Sequence, residues 1–96
     1  MSKKELYVQK MRAQLDEWEA EVDRFKAKAS IASASVQLEL NEEINVLKGR
    51  LEQAKTKLAE IADASEDAWE SIKESVDSRW DSLKAAVSDA KAKFKG

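Results

Sequence analysis

The sequence predicts an all-α protein, and three observations carry that prediction. Turn-forming residues are nearly missing, with no proline and glycine only at positions 49 and 96, so little in the chain interrupts a helix. Apolar residues recur at steps of three and four along almost the whole length, the spacing that gathers them on one helical face. Charged residues make up 38% of the chain, with 17 Lys+Arg against 19 Asp+Glu and a net charge of −2. Mixed charge of that kind is the composition of a solvated helix surface.

The first apolar stripe is Val8, Met11, Leu15, Trp18, Val22, Phe25, Ala29, Ala32 and Val36. Its alternating steps are the a/d spacing of a helix laid along another in a left-handed seam. The next core position, 39, holds Glu39, and the stripe resumes at Leu40, Ile44, Leu47, Leu51, Ala54, Leu58 and Ile61. Two consecutive steps of four are a stutter, which unwinds a supercoil locally without ending the helix. The stretch SIASAS at residues 30–35 lacks Gly, Pro, Asn and Asp, and its alanines are strong helix formers. The preferred expectation is therefore a single helix over about residues 4–62, with a turn near 30–35 as the alternative. On the opposite side, Leu6, Ala13, Ala20, Ala27 and Ala34 recur every seven residues and are joined by Ile31 and Leu38. That pattern is either ordinary helix filler or the mark of a segment, residues 27–38, contacted from two directions near the middle of an assembly.

A turn is expected near residues 63–65, where Ser65 can act as N-cap and Glu66 and Asp67 complement the positive end of a helix dipole. The second helix then covers about residues 66–94, with Lys91, Lys93 and Lys95 suited to its negative end. Within it, WESIKESVDSR at 69–79 aligns on WDSLKAAVSDA at 80–90. Trp69 matches Trp80, Lys73 matches Lys84 and Val76 matches Val87. An eleven-residue period is 3.67 residues per turn, so this segment is expected to be straight or gently right-handed. Its apolar face comprises Trp69, Ile72, Val76, Trp80, Leu83, Val87, Ala90 and Phe94.

Residues 1–96 thus form one helical domain, and a chain this short gains from a partner's surface. A long helical hairpin leaves Met11, Leu15, Trp18, Val22 and Phe25 uncovered, an apolar strip too long to leave in water. An antiparallel dimer covers it, each chain's first half filling the groove of the other's hairpin, so that two antiparallel three-helix bundles form end to end. Those five residues are the expected self-association site. If the chain turns near 30–35 instead, the same three segments make a compact bundle within one chain, related to the dimer as in a domain swap.

Little in the sequence points to catalysis. Absence of cysteine excludes disulfides and thiolate metal sites, and absence of histidine removes the commonest metal ligand and general base. Pairs such as Asp16/Glu17 and Glu42/Glu43 lie outside the apolar stripe, where nothing moves a carboxyl pKa toward neutrality. The inward Glu-x-x-His pairs of carboxylate metal bundles are impossible here. No Gly-rich phosphate loop or serine-nucleophile motif occurs. The expectation is no enzyme, no catalytic residue, no metal and no cofactor.

Trp18, Trp69 and Trp80 fall in phase with the apolar stripe, so they are assigned to a core rather than to base stacking, and the charge balance argues against nucleic acid. The basic start, MSKKELYVQKM, runs into no apolar segment, and nowhere do eighteen apolar residues follow one another. A cytoplasmic protein is expected. Two functional readings follow. The first is a structural or interaction module acting through helix–helix self-association. The second is a peripheral membrane-surface protein using the amphipathic repeat at 66–95. Against the second, residues 66–96 carry seven Asp/Glu and six Lys/Arg, not the basic excess that anionic lipid attracts.

YVQKMRAQLDEWEAEVDRFKAKA at the start and DASEDAWESIKESVDSRWDSLKAAVSDAKAKF at the end resemble a family of small bacterial coiled-coil proteins, described in cyanobacteria and other bacteria as stress-response proteins. The Leu-Asp-Glu-Trp at 15–18 and the two Asp/Glu-flanked tryptophans carry the likeness, which spans nearly the whole chain. It implies a helical protein without enzymatic activity, possessing no catalytic residue or ligand to carry over.

Overall fold

The computed structural model describes residues 2–94, which form three helices: α1 (Lys3–Ser30), α2 (Ala34–Asp63) and α3 (Trp69–Phe94). All three pair with one another, α1 most extensively with α2 and least with α3, in a rod 51 × 20 × 18 Å. The all-α class is as expected. The chain takes the compact form, so the single helix over 4–62 is corrected to two helices joined by Ile31, Ala32 and Ser33.

This first turn needs no glycine, because no described residue has positive φ. Ile31 ends α1 at φ −102°, ψ 3°, and Ser33 opens α2 in extended geometry at φ −62°, ψ 157°. Both are ordinary conformations for L-residues. Serine assists: Ser30 Oγ donates to the Ala27 carbonyl at 2.7 Å, a local bond that competes with continuation of the helix. The phase break after Val36 therefore marks a reversal rather than a stutter. Ala29 is the last buried member of the first stripe, Val36 is exposed, and the α2 core begins at Ile44 with Leu40 half-buried beside it. Within the chain nothing covers the outer series: Leu6 is 53%, Ile31 86% and Leu38 69% exposed.

The second turn falls where the sequence places it. Ser65 Oγ accepts from the Ala68 backbone N–H at 3.2 Å, and the Ser65 carbonyl accepts from Trp69 N–H. Residues 66–68 form a single hydrogen-bonded turn, so regular α-helix starts at Trp69 rather than at residue 66.

Around the bundle axis, each helix buries one stripe: Leu15, Trp18 and Phe25 from α1, Leu47, Leu58 and Ile61 from α2, Val76, Trp80 and Leu83 from α3. Among the described residues no polar or charged side chain is buried. Burial of each large side chain contributes about 1.5–3 kcal/mol relative to exposure, offsetting the conformational entropy lost on folding.

Candidate interaction surface

The residues expected to self-associate are used inside the chain. Leu15, Trp18, Val22 and Phe25 are buried and Met11 is half-buried against the same core. α2 and α3 of the same molecule cover them, so the strip that required a second chain is not free. The face expected to take lipid or packing has the same fate. Trp69, Val76, Trp80, Leu83, Val87 and Phe94 are buried and Ile72 is half-buried. Lipid could meet that face only after the bundle opened. Among the described residues, no helix is long and apolar enough to cross a membrane.

Three aromatic pairs join α1 to α3: Tyr7 to Trp69 with centroids 5.6 Å apart, Trp18 to Trp80 at 5.9 Å, and Phe25 to Phe94, stacked at 4.6 Å. Tyr7 lies outside the apolar stripe read from the sequence, although it stands eleven residues before Trp18, the same step as Trp69 to Trp80. Its hydroxyl donates to Asp77 Oδ1 at 2.6 Å, and Lys73 Nζ sits 5.6 Å from its ring centroid. Burial, then the hydrogen bond to Asp77 and its charge, push the Tyr7 phenol well above its ordinary pKa.

Two lysines of α1 finish the other helices. Lys4 Nζ donates to the carbonyls of Ala62 (3.1 Å) and Ala64 (2.8 Å) at the end of α2, whose last turn has no basic residue of its own. Lys28 Nζ donates to the Phe94 carbonyl at 3.1 Å. Each places a cation on the negative end of a helix dipole while satisfying orphan carbonyls.

What remains outward-facing differs from groove to groove. The α1–α2 groove is crossed by the Lys55–Glu19 ion pair, and the α1–α3 groove by Lys91–Glu21 at 3.6 Å. Arg24, hydrogen-bonded to Glu21, holds that carboxyl below the usual carboxylate range, with Lys91 adding to the effect. The α2–α3 groove is bridged at one end by Lys93–Glu43 at 2.5 Å, which raises the Lys93 pKa. Beyond the bridge it opens into a cleft of about 800 Å³ floored by Leu47 and Ala90 and flanked by Val46, Ala85, Ala86 and Asp89. Arg50 and Ser82 carry it into a second cleft with Gln53 and Arg79, and these lead on to Lys57. Val46 is 56% exposed in this groove. Arg50, Arg79 and Asp89 make no ion pair with any described residue.

Among the described residues no three carboxylates cluster as a metal site would require. No protein-family model matches the chain, and neither a curated protein nor a solved structure is similar enough to match it.

Proposed function

We propose that the protein is a non-enzymatic interaction module that works by helix–helix association through an outward face of its bundle. The observation that carries this reading is the α2–α3 groove, where an exposed valine and small alanines lie between charges left without partners. Apolar surface rimmed by polar groups is the usual anatomy of a protein contact.

The resemblance to bacterial stress-response coiled coils extends the proposal to accumulation under stress in the cytoplasm. Immunoblotting before and after osmotic shock tests that part, and unchanged abundance would remove it. The interaction itself is tested by lysine cross-linking in the cells that make the protein, followed by mass spectrometry. Intermolecular links from Lys57 or Lys93, beside the groove, are expected. Links confined within one chain would overturn the reading.

A further inference from the structure

We propose that the α2–α3 groove docks a second copy of this chain about a two-fold axis near Arg50 and Ala86. The inference rests on the interaction reading above and supplies its partner. Charge distribution along the groove is the reason. At the end near the first turn lie Glu43 and Asp89, with Glu39 close enough to Lys93 to act on its charge. At the other end lie Arg50 and Arg79, with Glu52 nearby and Lys57 paired to Glu60. Lys93 and Glu43 neutralise each other, so Asp89 and Glu39 leave the first end acidic, while Arg50 and Arg79 outweigh Glu52 and leave the second basic.

A surface acidic at one end and basic at the other is complementary to itself when reversed. A C2 contact brings the same patch from both molecules together in opposite directions. Asp89 of each copy then faces Arg50 of the other, and the Glu43 end faces Arg79. The same-direction arrangement sets like charges together and is disfavoured. A uniformly charged partner, nucleic acid or an anionic surface, would be repelled by one half of the groove.

Shape agrees with this occupant. On α3 the side chains near the axis are the small Ser82, Ala85 and Ala86, which leave room for Arg50 of the other copy, and the contact covers Val46. The hairpin dimer expected from the sequence used core residues and required exchange of helices; this one joins two intact bundles by their surfaces.

The test is sedimentation equilibrium of the full chain at low salt, with wild type, Arg50→Glu and Asp89→Arg. Wild type is expected at twice 10.8 kDa. Each single variant sets like charges opposite each other at two symmetric places and is expected to weaken association about tenfold or more, with an unchanged thermal melt at low concentration. An equimolar mixture of the two variants is expected to regain the dimer. In the mixed pair the introduced glutamate of one copy faces the introduced arginine of the other, while the native Asp89 and Arg50 still meet across the axis. Wild type at 10.8 kDa up to millimolar concentration would overturn the second-copy inference, as would a mixture no tighter than the separate variants. The interaction reading would survive that failure if cross-links to another polypeptide persist, and fall with it if they do not.

Discussion

Trp18 and Trp80 meet in the middle of the bundle with ring centroids 5.9 Å apart at an interplanar angle of 45°. Their helices run parallel, since Lys28 near the end of α1 reaches Phe94 at the end of α3. Both rings are nearly enclosed, 6% and 7% exposed, and the Trp80 indole N–H has no hydrogen-bond partner there. The pair is held by apolar packing and ring geometry, a tilted arrangement that adds about 0.5–1.5 kcal/mol beyond area burial.

Truncation of that pair gives the first expectation. Trp80→Ala should cost about 3–5 kcal/mol, the range for removing a large buried ring. Trp80→Phe should cost far less, because the lost N–H satisfies nothing. Urea denaturation measures both, and a loss below about 1 kcal/mol for Trp80→Ala would show that the ring lies outside the core.

Phe25→Asp should unfold the chain rather than dissociate a complex. Phe25 is 2% exposed and stacked on Phe94, so an aspartate there is buried without a partner. Far-UV circular dichroism is the measurement; a folded variant with an unchanged melt would contradict that packing.

Lys4→Met should cost about 0.5–1 kcal/mol by removing the cation and donor from the end of α2. Lys3→Met, on an exposed neighbour, is the control and should change stability by less than about 0.5 kcal/mol. Equal effects in thermal melts would mean that Lys4 does not cap α2.

Tyr7 is the single tyrosine, so absorbance near 295 nm reads its ionisation alone. Its folded-state pKa lies above the unfolded value of about 10. The stabilising contribution is fully present below pH of about 10 and is lost as pH rises through that value toward the folded one. The folded protein should resist phenolate formation at a pH where the urea-unfolded chain ionises, and Tyr7→Phe should lessen the alkaline loss of stability. Coincident titration curves for the two states would refute the Tyr7–Asp77 bond.

Gly49→Ala should stabilise the fold by about 0.5–1 kcal/mol, raising Tm by several degrees. Gly49 lies inside α2, and a methyl group added there meets nothing within 4 Å. Calorimetry gives the answer directly, and a lower Tm would mean that the glycine serves a contact outside the isolated chain.

Helical class, the second turn at Ser65 and the side chains of each helix that must leave water are all legible in the residue pattern. Period three–four names Leu15, Trp18, Leu47, Leu58, Val76 and Trp80 without reference to any neighbour, because helix geometry alone places them on one face. What covers that face depends on how the helices pack. The same stripe is satisfied by another chain or by the chain's own later helices, and a three-residue turn with ordinary backbone angles leaves no glycine or proline as a signal. Lys4 on Ala64, Lys28 on Phe94 and Tyr7 on Asp77 join residues 60, 66 and 70 positions apart. No local spacing encodes such pairs, and the same holds for the groove where α2 and α3 lie side by side; both exist only once the helices have been set against each other.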